Sequence, residues 1–405
     1  MKILYLTFYF KPDLCAGSFR NTPLVDELSA LLTNDDHIHV VTTQPNRYQT
    51  FQIEAPAHEQ RGNVTIDRVA IPPHASGLND QVRSFSTYYR QTLRLTRNNQ
   101  YDLVVASSSR LFTAFLGAWL ARRQQVPLFL DIRDIFREAI LEILKKPMLS
   151  LALNPFLWLV ERFTFGYARH INLVSEGFRA YFNRYPQATY SFFTNGIDDE
   201  FLDTPASDPV RPAGPRTLLY AGNIGEGQGL HKVIPQAARQ LGADYRFLVV
   251  GDGGAKAKLL DAIAQEQVSN VEVRQPVDRT ELRQLYHQAD YLFLHLNDFK
   301  ALEKVLPSKV FEYAATDKPI VAGVGGYAYQ FLKKNVGNCL LFTPGDVDSL
   351  VEQLRRMPVT HVSRTAFVGQ FQRRTIMQQM ARQILKTAGS HPQPASVDTL
   401  TTVSA

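Results

Sequence analysis

The chain has 405 residues, of which 45% are hydrophobic, 20% charged and 11% aromatic, and its formal net charge is +6. This is a globular composition, too long for one ordinary core and suited to two domains. No apolar run reaches the ~18 residues of a transmembrane helix, and there is no RNA-binding signature, zinc-finger spacing or basic run. Nucleic acid is therefore not the partner of the positive charge, which better suits an anionic membrane surface or a phosphorylated substrate. Cys15 and Cys339 lie far apart and form no metal or redox motif, which points to a reducing compartment, the cytoplasm.

In chain order, the apolar and aromatic start over Lys2–Phe10 reads as a buried strand rather than a signal peptide. A loop over 11–20 leads to a helix at Leu24–Leu32. Strands at His37–Thr43 and Val64–Ile71 are followed by a long polar helix at Val82–Arg97. A strand from Leu103, a helix at Phe112–Arg123 and a strand at Pro127–Asp131 continue the alternation. The apolar stretch Met148–Val160, flanked by Lys145, Lys146 and Arg162, is divided by Asn154-Pro155 into pieces too short to span a bilayer. Two readings stay open for it, a monotopic surface insertion or a pair of core helices. His170–Ser175 is a further strand.

Residues 203–215 carry four prolines and read as a linker. A second alternating series follows, with strands at Thr217–Ala221, Tyr245–Val250, Val271–Arg274 and Tyr291–His295. Helices at Leu230–Leu241, Ala255–Glu266 and Thr280–Ala289 separate them. A helix opening at Pro307 and a strand at Ile320–Ala322 come next, then Leu340–Phe342 and a helix at Val347–Met357. The pattern predicts an α/β protein of two Rossmann-like domains, 1–202 and 216–363. A helix over 364–388 and a disordered tail at 389–405 complete the chain.

Four constellations bear on chemistry. Leu306-Pro-Ser-Lys-Val-Phe-Glu-Tyr begins a helix with Pro307 where its missing N–H costs nothing. Lys309 and Glu312 share one face. The amides at Ser308 and Lys309 and the ammonium suit a phosphate, and the Glu312 carboxylate suits two ribose hydroxyls; a solvated ion pair is the alternative. Gly222-Asn223-Ile-Gly-Glu-Gly-Gln228-Gly229 joins a strand to a helix, and its glycines allow backbone to approach a ligand. Its spacing is not the dinucleotide fingerprint, and no acidic residue ends the next strand, so nucleotide-sugar is preferred to nicotinamide. Gly17-Ser18 and Arg20 form the matching loop of the first half, either bordering a cleft or capping a helix. Asp131 and Asp134 end a buried strand at the edge where ligands bind, so either is a candidate acceptor of a hydroxyl proton; an internal pair with Arg133 or Arg137 is the alternative. No metal site is evident, and His295 reads as a core histidine.

Together these residues resemble the retaining family 4 glycosyltransferases of GT-B architecture, in particular the bacterial transferases of surface polysaccharides and O-antigens. The resemblance rests on Gly17-Ser18-Arg20, Asp131 through Glu138, Asn195-Gly-Ile-Asp198, Gly222-Asn-Ile-Gly with Gln228-Gly229, and Pro307 through Tyr313. It implies a nucleotide-diphosphate sugar as donor substrate, no further cofactor or metal, and a lipid-linked glycan acceptor. It also implies a peripheral position on the inner face of the cell membrane. Glu312 would hold the ribose, Lys309 with Ser308 would face the diphosphate, and the 222–229 loop would close over it. The last helix would cross back to the first domain. The family's usual second carboxylate is replaced here by Lys304, and its cations in the glycine loop by Asn223 and Gln228. A GT-B sugar-nucleotide epimerase and a catalytically degenerate scaffold are the alternatives.

Overall fold

The computed structural model describes residues 1–13, 15–46, 54–72, 78–108, 111–143, 147–202 and 214–389. Residues 203–213 of the linker and the tail beyond 389 lie outside the described residues.

The first part runs β1 (Lys2–Leu6), α1 (Ala16–Leu31), β2 (His37–Thr43), β3 (His58–Arg61), β4 (Val64–Val69), α2 (Leu78–Thr96), β5 (Leu103–Ser108) and α3 (Leu111–Gln124). It continues with β6 (Leu128–Ile132), α4 (Phe136–Ile143), α5 (Pro147–Phe165), β7 (His170–Leu173), α6 (Arg179–Phe182) and β8 (Thr189–Ser191). Its eight strands form one sheet in the order β3-β4-β2-β1-β5-β6-β7-β8, parallel throughout except for β3. Strands such as β5, buried along its whole length, are apolar on both faces because helices cover both sides.

The second part runs β9 (Arg216–Ala221), α7 (Leu230–Leu241), β10 (Tyr245–Val250), α8 (Lys256–Gln265), β11 (Val271–Arg274), α9 (Arg279–Gln288) and β12 (Tyr291–His295). Then come α10 (Lys309–Ala314), β13 (Ile320–Gly323), α11 (Gly326–Asn335), β14 (Cys339–Phe342) and α12 (Val347–Arg356). The six strands form a parallel sheet in the order β11-β10-β9-β12-β13-β14. Both orders reverse beside their first strand, β1 or β9, which places a crevice at the carboxyl ends of the central strands.

Strands β3 and β8 and helices α4 and α6 have no counterpart in the sequence reading, and three further elements depart from it. Helix α1 begins at Ala16, so Gly17, Ser18 and Arg20 sit in its first turns, not in a loop; it passes through Pro23 beside a surface cavity lined by Phe19 and Pro23. Helix α5 runs unbroken through Pro155, whose lost bond falls on the exposed side that also carries Leu151. The carboxy-terminal helix is two, α13 (Thr365–Gln370) and α14 (Arg373–Ala388). Between them the Phe371 carbonyl accepts from Ile197 N–H at 2.7 Å, and Arg373 N–H donates to the Ile197 carbonyl at 2.8 Å. Backbone groups that would have continued the helix are thus spent on the crossing segment. Helix α14 buries Ile376, Met377, Met380, Ala381 and Ile384 as one stripe and packs on α1 of the first domain.

Candidate active site

A cavity of about 430 Å³ opens between the two sheets. Its floor in the second domain is built by the turns that follow β9 and β10. Gly222 (φ 138°) donates its N–H to the Val250 carbonyl at 2.8 Å, and Ile224 N–H reaches the Asp252 carbonyl at 2.9 Å. A Cβ at Gly251 (φ 155°) would overlap the Gly222 carbonyl, so the two turns close on each other only with glycine there. Asn223 Nδ2 donates to Gln228 Oε1 at 2.9 Å, and Gly225 N–H to the same oxygen at 3.1 Å, which folds the loop back on itself.

Helix α10 supplies the charges. Lys309 Nζ lies against the backbone of Gly222 and 5.2 Å from the centre of the Tyr220 ring. The turn uses the Val310 and Phe311 amides on the carbonyls of Pro307 and Ser308. Glu312 accepts the Tyr286 hydroxyl at 2.9 Å. Burial, reinforced by the Glu312 charge, pushes the Tyr286 phenol well above its ordinary range, so it stays a donor. Tyr286 is fixed in turn by the Tyr313 ring, edge-on at 5.4 Å.

The opposite wall comes from the first domain: Cys15, Ala16 and Phe19 at the start of α1, and Asp134 between β6 and α4. Asp134 is solvent-accessible at the cavity, but protein from both sides crowds it. That desolvation pushes its carboxyl up to about 6, with Arg133 pulling the other way.

Of the residues singled out in the sequence, Gly222, Asn223, Gln228, Ser308, Lys309, Glu312 and Asp134 line this one cavity. Four do not. Asp131 is fully buried and bound by Arg20 Nε at 2.8 Å and Nη2 at 2.9 Å, with Asn172 Nδ2 at 2.8 Å. Burial alone would raise its carboxyl, but the Arg20 charge and these hydrogen bonds outweigh it and hold it below the ordinary range. Asp131 is therefore the anion of an internal ion pair and not a proton acceptor for substrate. Arg20, its fully buried partner, spends its other donors on the carbonyls of Phe193 and Thr194, at 2.7 and 2.8 Å, and cannot reach a diphosphate. Gly17 is buried against Arg133 and Tyr9, where a Cβ would crowd both side chains. Gly229 (φ 58°) packs on Asn297 as the residue before α7.

The structure adds Tyr286, Arg279 and Leu282 from α9, and Val250, Pro276 and Val277 from the strand ends. Arg279 bonds Asp198 at 2.5 Å and lies 4.0 Å from the centre of the Phe19 ring, across the domain boundary. No motif marks these residues; only the β10-β11 edge brings them beside α10. His295 is a core residue, with Nδ1 at 2.6 Å from the Gln228 carbonyl and Nε2 accepting Gly345 N–H at 3.1 Å. Burial lowers it to about 4, so it is neutral and shapes the glycine loop from below.

Comparison with known proteins agrees with this fold. Residues 206–358 match the family described as glycosyl transferases group 1, and residues 23–195 match the glycosyl transferase 4-like domain. The chain belongs to the glycosyl transferases. Over 162 residues it is 29% identical to the Escherichia coli (strain K12) protein named "Putative colanic acid biosynthesis glycosyl transferase WcaI"; the match takes in 40% of either chain, so less than half of that relative is aligned. Among solved structures, Anabaena Alr3699/HepE in complex with UDP-glucose superposes with a TM-score of 0.65 at 15% identity, over 95% of this chain and 100% of that one. WaaG, a glycosyltransferase involved in lipopolysaccharide biosynthesis, gives 0.63 at 16%, over 95% and 98%. At such identities the likeness is one of fold, and the fold is the GT-B arrangement that the two sheets display.

Proposed function

We propose that this transferase moves a sugar from a nucleotide-diphosphate sugar to a lipid-linked or polysaccharide acceptor during cell-surface polysaccharide biosynthesis, with retention at the anomeric carbon. The observation that carries the reading is the meeting of Lys309, Glu312 and the Gly222 turn with Asp134 across a single cavity. The UDP and UDP-glucose complexes of the Anabaena structure and the colanic acid assignment of the E. coli relative support it.

In this reading Glu312, already oriented by Tyr286, accepts the two ribose hydroxyls, and Val277 and Leu282 flank the base. The diphosphate lies on the Gly222 turn, under Lys309 and the amides at Ser308 and Lys309. Those groups stabilise the charge that grows on the departing diphosphate, the charge-stabilising role that a fixed cation performs best in a partly dry site. The acceptor hydroxyl enters from the first domain on the face the diphosphate leaves, and Asp134 receives its proton. A carboxyl at about 6 is ionised at neutral pH and still basic enough for that task.

The exposed side of helix α5 supports a lipid-linked acceptor. Leu151, Phe156, Trp158 and Leu159 stand out from it at 76, 52, 36 and 57% exposure, with Arg162 over the Trp158 ring at 5.4 Å. Among the described residues no helix is long and apolar enough to cross a membrane. An apolar ridge with Arg162 beside it suits an anionic bilayer surface, which supports a peripheral position on the cytoplasmic face. Thermal-shift measurement against a panel of nucleotide sugars tests the donor site, since a bound donor raises apparent stability with its concentration over Kd. One donor class should raise Tm in the wild type and fail to do so in Glu312→Ala. Equal shifts in both would remove the ribose assignment.

A further inference from the structure

Lys304 and Glu138 belong to different domains. Lys304 ends the turn Leu302–Lys304 ahead of Pro307, and Glu138 lies in the first turn of α4. Lys304 Nζ donates to both Glu138 carboxylate oxygens, at 2.7 and 2.5 Å. The backbone around the pair is fitted to the same closure. The Lys304 carbonyl accepts Ser175 Oγ at 2.6 Å, and a Cβ at Gly177 would overlap that carbonyl. The Glu303 carbonyl fits against Gly326, at φ 52°.

The Glu138 side is anchored as firmly. Its neighbour Arg137 donates to Asn154 at 2.9 Å and to Glu161 at 3.4 Å, both on α5. Glu161 is buried and accepts the Tyr181 hydroxyl at 2.7 and 2.6 Å, and Lys304 Nζ lies 5.7 Å from the centre of that same Tyr181 ring. Asp134 sits just ahead of Glu138, on the segment that enters α4 from the cavity.

We infer that the Glu138–Lys304 pair is a latch that closes the two domains over a bound donor and sets the Asp134 segment against it. Both are positioning residues, and the inference rests on the transfer reading above. The pair is partly open to water, with each side chain 32% exposed, so it is weak and sensitive to salt. That suits a contact that must break each cycle if the cleft is to release product. Replacement of the family's usual carboxylate by Lys304 thus has a use in this chain: it supplies the cation for Glu138.

Charge reversal tests the latch. In Lys304→Glu or Glu138→Lys two like charges face each other, and kcat should fall about tenfold while donor KM stays within about threefold. The double reversal should restore kcat to within about twofold of wild type, which shows that the two charges act as a pair, and the kcat loss at nearly constant KM is what a merely structural pair would not give. Wild-type kcat should decline as salt rises to about 0.5 M and that of Lys304→Gln should not; this comparison needs no reversed variant to fold. Small-angle scattering with donor present should show the wild type more compact than Lys304→Glu. Single reversals with wild-type kcat, or a double no better than the singles, would overturn the latch. If the wild type turns over no nucleotide sugar, the transfer reading fails instead. Scattering with the nucleotide then decides the latch, equal radii in wild type and Lys304→Glu overturning it.

Discussion

Asp131→Asn separates the two carboxylates that end β6. The substitution leaves the Arg20 guanidinium, wholly enclosed, beside an amide in place of an anion. The hydrogen bonds of Arg20 to the Phe193 and Thr194 carbonyls would still be satisfied, but its charge would not be. Breaking a buried pair from one side costs about 3–5 kcal/mol. At about 2–4 °C per kcal/mol for domains of this size, Tm should drop by ~6–20 °C. Because the folded carboxyl is held below its ordinary value, the stabilisation is present above the unfolded pKa of about 4 and is lost as pH falls below it. The deficit of the variant should accordingly be full at pH 7 and shrink toward pH 3. Circular dichroism melts across that range measure it, with turnover recorded well below the melting temperature. An Asp131→Asn protein that melts within about 2 °C of wild type yet has lost its turnover would refute the structural assignment and return Asp131 to the chemistry.

Asp134→Asn should do the reverse, lowering kcat by about 10²–10⁴ while leaving the fold intact, and wild-type activity should rise with pH through about 6. Here the folded pKa lies above the unfolded one, so the folded state holds the extra proton between roughly pH 4 and 6 and stability falls across that window. The variant should therefore melt higher than wild type at pH 7.5 and alike at pH 4; equal differences at both would show that the carboxyl is not raised. Glu312→Ala should weaken donor binding by calorimetry about 10- to 150-fold, the worth of one charge-assisted hydrogen bond at about 1.5–3 kcal/mol. Changing Leu151, Phe156 and Leu159 together to Ser should abolish co-sedimentation with anionic vesicles and leave turnover of a water-soluble acceptor unchanged; retained sedimentation would remove the membrane role of α5.

The sequence carried most of the strands and seven of the residues that line the cavity. Strands such as His37–Thr43 and Tyr245–Val250 read cleanly, because a parallel sheet covered on both faces leaves apolar runs between turn signals. Helix α10 with Lys309 and Glu312 was legible because a short motif holds both side chains on one face. Pro155 reads as a break but sits where its missing bond faces solvent, which local rules do not reveal. The remaining errors were all long-range. Arg20 and Asp131 are separated by 111 positions and Glu138 and Lys304 by 166, so neither pair leaves a trace in local spacing. Tyr286 and Arg279 reach the cavity only because α9 follows the strand that borders it.

The central claim is that sugar leaves its nucleotide in the cavity shared by Lys309, Glu312 and Asp134. Incubation of the purified protein with each nucleotide sugar and membrane lipid-linked acceptor, with nucleoside diphosphate and glycosylated lipid quantified together, addresses it directly. One donor should yield equal amounts of the two products, and Glu312→Ala should make about 10- to 150-fold less of both at a donor concentration below the wild-type Kd. A donor that is bound and converted to an isomer with no glycosylated lipid formed, or a protein that consumes no donor at all, would contradict the account.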